Sequence, residues 1–170
     1  MRTSPWASTS NDLGEREQQV FDALSAQCAR REYCCADIRR KALQRLDFDA
    51  AGADSVVAAL VEEGFVDNRR YAAAFAREKS GLAGWGPVKI RSALLARQIP
   101  REVISEALDE IDPDRASARL EKVLVNKWKT LADDPQGRLK LIRFALSRGY
   151  DYEPVRPIIE RITRPAPPED

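Results

Sequence analysis

Three stretches of this chain repeat one pattern at an interval of about 51 residues: Ile38-Arg-Arg-Lys-Ala-Leu-Gln-Arg45, Ile90-Arg-Ser-Ala-Leu-Leu-Ala-Arg97 and Leu141-Ile-Arg-Phe-Ala-Leu-Ser-Arg148. A repeated basic helix restricts the fold more than any single motif does, because a unit of this size cannot bury its apolar face alone and must pack against its neighbours. A further apolar-periodic segment follows each basic helix: Val56, Val57, Leu60 and Val61, then Val103, Ile104, Ala107 and Leu108, then Val155, Ile158, Ile159 and Ile162. The three-and-four spacing gives each segment one helical face to bury. Opening helices are expected over about Glu15 to Ala29, Asn68 to Lys79 and Asp114 to Leu131. The expected fold is therefore all-α, in three tandem three-helix repeats over 15–66, 67–111 and 112–163. Polar or proline-rich tails at 1–14 and 164–170 are expected to be disordered.

Punctuation agrees with these limits. Asp67 is placed to cap the helix carrying Tyr71 and Phe75, Pro87 stands at a first helical turn, and Gly149 follows Arg148 as a helix-ending glycine. Tyr71 and Phe75, four apart, are expected in the core, whereas Trp85 and Trp128 can be read as core or as stacking platforms for bases.

Several chemistries are disfavoured. With no histidine among 170 residues, the commonest general base and metal ligand is missing. Cys28, Cys34 and Cys35 are an odd set whose adjacent pair cannot form an unstrained disulfide, so they read as small apolar thiols in a reducing cytoplasm, with no metal site. Gly81, Gly84 and Gly86 lack the Gly-Lys-Ser/Thr ending of a phosphate loop and read as a turn. Carboxylates such as Glu62 and Glu63, or Asp109 and Glu110, diverge on their helices and do not converge on a substrate. No apolar run is long enough to span a bilayer. A non-enzymatic, cytoplasmic protein without cofactor is expected.

Charge repeats along with shape. A net charge of +1 hides segregation: residues 30–45 carry six basic and two acidic groups, 47–67 carry six acidic and none basic, and 69–101 carry eight basic and one acidic. The alternation continues with six acids over 102–114 and nine basic against three acidic groups over 115–148. Basic helices whose acids lie on the following helix suggest a docking face for phosphates or for an acidic protein surface. The candidate contacts are Arg69, Arg70, Arg77, Lys79, Lys89, Arg91 and Arg97, then Arg39, Arg40, Lys127, Lys129, Lys140 and Arg143. Lys89, Arg91 and Arg97 are expected to be exposed.

At this point the sequence resembles the RecX family, regulators of the RecA recombinase. The resemblance rests on Glu62-Glu-Gly-Phe-Val-Asp67 followed by Arg70-Tyr-Ala-Ala-Ala-Phe75, on Trp85-Gly86 leading into Lys89-Ile90 and Leu94, on Arg31 to Lys41, and on Lys140 to Tyr150. It spans roughly Glu17 to Ile162. Asn68 stands where an acidic residue is usual, and the Leu46-Asp47-Phe48 turn has one extra residue. The resemblance implies an elongated, curved array of three-helix repeats, a monomer that binds a RecA filament and damps its activity. Direct DNA contact through the basic helices is part of that expectation. A helical DNA-binding module and an α-solenoid scaffold for another protein are the rival readings.

Overall fold

A computed structural model describes residues 13–164. The described residues form nine helices and no strand: α1 (Glu15–Cys28), α2 (Cys35–Arg45), α3 (Ala50–Glu62), α4 (Asn68–Gly81), α5 (Pro87–Leu95), α6 (Arg101–Asp109), α7 (Pro113–Trp128), α8 (Gly137–Ser147) and α9 (Tyr152–Ile162). The expected tails lie outside the described residues except for Leu13, Gly14 and Arg164.

Several helix starts are fixed by side chains that satisfy otherwise orphaned N–H groups. Asp67 Oδ1 accepts from the N–H groups of Arg69 and Arg70 at 2.8 and 3.1 Å. Asp112 does the same for Asp114 and Arg115, with Pro113 at the first helical position where no N–H is needed. Asn68 accepts the Cys35 N–H at 3.0 Å and so caps α2 from a distance in sequence, which gives the side chain at this atypical position a defined partner.

By their contacts the described residues divide into two compact units, and the division runs through the middle three helices. The first unit holds the chain up to Ala74 with Leu95–Ile104; the second holds Phe75–Leu94 with the chain from Ser105. In the first, Leu24 of α1, Ile38 of α2 and Val56, Val57 and Leu60 of α3 are fully buried together. In the second, Leu120 and Leu124 of α7, Leu141 of α8 and Val155 and Ile159 of α9 form the core, with Trp128, Ile158 and Ile162 half-buried against it. The periodic faces read from sequence are thus the buried faces. Trp128 is a packing residue.

Inside the second unit, α5 begins where α8 ends. The Gly86 N–H donates to the Arg148 carbonyl at 2.7 Å and the Val88 N–H to the Gly149 carbonyl at 3.0 Å. Donors orphaned at one helix start thereby meet acceptors orphaned at another helix end, with helix dipoles of favourable sign. Gly149 has φ +90° and closes α8, its own N–H reaching Leu146 and the Tyr150 N–H reaching Ala145. No Cβ fits between the two strands of backbone: at Gly86 it would lie 2.3 Å from the Gly149 oxygen, and at Gly149 2.3 Å from Lys89 Cβ.

Gly86→Ala should therefore destabilise the protein by about 1–3 kcal/mol through overpacking, and by more where a junction hydrogen bond is also lost. At Gly81 a Cβ meets nothing within 4 Å. Gly81→Ala, at the end of α4, should be neutral or stabilising by up to about 1 kcal/mol. Urea unfolding of the two variants beside the parent measures the contrast.

Candidate partner-binding surfaces

In the first unit α2 and the α5–α6 turn line an open groove of about 480 Å³. Its walls include Arg39 and Arg40 of α2, Arg97 and Gln98 of the turn, and Asp37. Arg39 Nε is held by Asp54 of α3 at 2.6 Å, and Arg40 Nη2 by Asp37 at 2.9 Å. Arg97 is half-buried and hydrogen-bonds the Tyr71 hydroxyl; burial pushes that phenol up while the guanidinium opposes it. Arg97 belongs to a different basic helix of the sequence pattern from Arg39 and Arg40, and the structure brings the three to one groove. Gln98, which sequence reasoning missed, joins them from a left-handed backbone (φ 59°), and no motif marks it.

Also in the first unit, Arg69 begins α4 at the surface, and Arg70 Nε binds Glu32 at 2.6 Å while its Nη2 donates to the Gly64 carbonyl at 3.1 Å. Arg70 is a clamp on the α1–α2 and α3–α4 connections.

In the second unit, Trp85 organises two of the candidate cations. Lys89 Nζ lies 4.5 Å from the centre of its ring and Lys79 Nζ 5.5 Å, while Phe75 meets it edge-on at 6.2 Å and 73°. The ring that could have stacked on a base already carries ammonium groups, an arrangement favourable in its own right. Phe75 is half-buried here, whereas Tyr71 is a true core residue at 9% exposure. Two arginines fasten the adjoining turn: Arg119 Nη2 donates to the Leu82 carbonyl at 2.5 Å and Arg148 Nη1 to the Ala83 carbonyl at 3.0 Å.

The other candidates of this unit are scattered in role. Arg77 reaches Glu110 at 3.9 Å, Lys79 also meets Glu78 at 2.9 Å, and Lys140 pairs with Asp134, whose carboxyl that hydrogen bond holds below its ordinary range. Lys127 lies over Phe144 at 5.5 Å. Arg91, Lys129 and Arg143 have no ionic or aromatic partner among the described residues. Lys89, Arg91 and Arg97 are each half-buried, which corrects the expectation of full exposure; the Lys89 stem lies against Gly149 and Arg97 against Tyr71.

The geometry offers cations and hydrogen-bond donors. Among the described residues no group of three or more His, Cys, Asp or Glu is arranged to hold a metal ion, and no helix is long and apolar enough to cross a membrane.

Residues 67–108 match the family described as RecX, second three-helix domain. Regulatory protein RecX of Chromohalobacter salexigens is 35% identical over 131 residues, which are 75% of this chain and 82% of that one. The chain belongs to the RecX family. The RecX of Pseudomonas entomophila is 36% identical over 74% of this chain and 79% of its own, and that of Thermus thermophilus 34% over 72% and 77%. A crystal structure of regulatory protein RecX shares the fold, with a TM-score of 0.76 over 85% of this chain and 71% of that one at 18% identity. This RecX-family chain is thus a regulatory protein built on three-helix domains.

The three thiols lie in the first unit, with Cys34 Sγ donating to Asp37 at 3.2 Å and Cys35 lining a pocket with Arg69. Burial pushes the Cys34 and Cys35 thiols up to about 11 from 9.0. At pH 8 the folded protein should be alkylated at these positions about a hundredfold more slowly than the unfolded chain, since the thiolate is the nucleophile. Both thiols keep protons that the unfolded chain gives up, so their contribution to stability is complete below pH 9 and is lost as pH rises towards 11. A urea midpoint that falls between pH 8 and pH 10.5, and falls less in the Cys34→Ala, Cys35→Ala variant, is the expected result.

Proposed function

We propose that this chain is a non-enzymatic, monomeric inhibitor of the cytoplasmic RecA recombinase, docking along the RecA–DNA filament and slowing ATP hydrolysis and strand exchange in recombination and repair. The observation that carries the reading is the convergence of Arg39, Arg40 and Arg97 on one groove, in a chain of the RecX family. Three guanidiniums border one open groove against two carboxylates, Asp54 on Arg39 and Asp37 on Arg40, and the surplus positive charge favours a planar anion, either a phosphate or an acidic side chain. Further cations around Trp85 and at Arg91, Lys129 and Arg143 supply additional weak contacts, and linked weak contacts raise the effective concentration of each. A repetitive filament suits such a repeated protein. Plain DNA binding is the second reading, favoured by the same cations, which suit phosphate contact better than base reading.

The deciding measurement is cosedimentation with RecA filaments on single-stranded DNA, beside naked DNA and free RecA. Stronger capture by filaments than by either component is expected; equal capture by naked DNA would favour the second reading. Arg40→Gln with Arg97→Gln should weaken filament capture about tenfold or more while stability changes little for Arg40, whose exposed ion pair contributes at most about 1 kcal/mol. Removing two charges elsewhere, with Arg138→Gln and Arg156→Gln, should leave capture near the parent value. Capture by the parent should also fall as salt rises from about 0.1 to 1 M, over which the screening length shortens from about 10 to 3 Å.

A further inference from the structure

The three turns that join a basic helix to the next helix share one plan and differ at one position. Phe48, Ile99 and Tyr150 each stand two residues before the following helix. Each follows a residue with left-handed backbone: Asp47 (φ 51°), Gln98 (φ 59°) and Gly149 (φ 90°). Ile99 is 2% exposed and Tyr150 is half-buried. Phe48 is 76% exposed. It is itself left-handed, with φ 65°, so two consecutive residues without glycine hold a conformation that side chains disfavour.

The extra residue in this turn accounts for the change of direction. Leu46 is 3% exposed and packs with the α1–α3 core, so Phe48 has no core position left to fill. Packing therefore makes no demand for an aromatic at 48, and asparagine or glycine would suit its backbone better. The turn is nevertheless firmly built. The Phe48 N–H donates to the Leu43 carbonyl at 2.7 Å and the Asp49 N–H to the Leu46 carbonyl at 3.0 Å; Asp47 is ion-paired with Arg16 of α1, and Asp49 caps α3 through the Gly52 N–H. The result is a large apolar side chain displayed on a fixed support, the form in which an aromatic contributes most to an interface because little freedom is lost on binding.

Its surroundings are acidic. Asp47 and Asp49 flank the ring in sequence, and Glu17 lies beside Asp49, both carboxylates coming within about 3 Å of where a Gly52 Cβ would stand. No lysine or arginine occurs between residues 47 and 67. Three carboxylates, those of Asp47, Asp49 and Glu17, thus stand against one guanidinium, that of Arg16, and the balance disfavours a polyanion. We infer that Phe48 is a protein-docking anchor, whose occupant is an apolar pocket edged by basic residues on the protein component of the filament and not its DNA. The inference rests on the RecA reading above and deepens it: the cationic groove suits anions, and the acid-flanked aromatic suits the protein.

The test uses the full chain with Phe48→Ser and Phe48→Leu, in cosedimentation with RecA filaments and with naked single-stranded DNA, and in sedimentation equilibrium alone. Phe48→Ser should melt within a few degrees of the parent because the ring is exposed, weaken filament capture tenfold or more, and leave any capture by naked DNA unchanged. Phe48→Leu should restore most of the filament capture. Capture of Phe48→Ser equal to the parent would overturn the anchor while leaving the RecA reading intact. Failure of the parent to be captured by filaments at all would overturn both. A parent dimer that Phe48→Ser abolishes would make a second copy of this chain the occupant, and equal losses on filaments and naked DNA would make it the nucleic acid; either overturns the assignment to the protein component.

Discussion

The junction of α5 with α8 is the contact that builds the glycine-rich end of the second unit. Helix α5 has only nine residues, too few to be stable from propensity alone. It gains order because its first N–H donors, those of Gly86 and Val88, close onto the last carbonyls of α8. That closure requires two glycines at one crossing, Gly86 and Gly149, and a proline between the two donors. The same closure determines what α5 cannot be. A helix N-terminus preceded by glycines is a ready anion site only when its N–H groups are free, and these are occupied by backbone. With Arg119 and Arg148 fixing the carbonyls of Leu82 and Ala83, the glycine-rich turn is a pinned connection between helices, and Trp85 is left where it can gather Lys79 and Lys89.

Charge is spent unequally along the chain. Arg70 and Arg39 reach across connections to Glu32 and Asp54, so their first effect is to order the first unit. Both pairs are partly exposed, and such pairs contribute little net stability, which leaves the guanidiniums able to exchange an internal carboxylate for an external anion. Arg40 and Arg97 border the same groove, Arg40 with a half-buried i,i+3 partner, Asp37, and Arg97 with the Tyr71 phenol among its partners. A groove lined in this way is ordered by its own ion pairs and keeps a surplus of positive charge.

Much of the fold was legible because helical periodicity and caps are local signals. Val56, Val57 and Leu60, or Val155 and Ile159, announce a buried face within a few residues, and Asp67, Asp112 and Gly149 mark ends through bonds to their immediate neighbours. The site was legible only as a pool of cations. Counting charges along the sequence cannot tell Arg70, bound to Glu32, from Arg143, because ion pairing depends on which connections meet in space. It also cannot show that Arg97 shares a groove with Arg39, since the residues belong to different repeats. Phe75 illustrates the reverse error: its four-residue spacing from Tyr71 suggests one common core, yet it is half-buried and meets Trp85 edge-on, a residue ten positions away beyond a turn.

The repeated turns show how a tandem fold can carry different surfaces on one plan. Each needs a left-handed residue to reverse the chain before the next helix, and that need is met by glycine where backbone approaches most closely, at Gly149 beside Lys89. Where no such approach exists, Gln98 and Asp47 suffice and bring side chains with them. The residue that follows is then set by the space available: Ile99 enters a core, Tyr150 enters one in part, and Phe48, displaced by Leu46, faces solvent. Because the turn geometry tolerates all three outcomes, one inserted residue can convert a packing position into a surface anchor without disturbing the helices on either side. The buried faces of α2 and α3 keep their periodicity across that insertion, which is why the change leaves the fold intact and alters only what the turn displays.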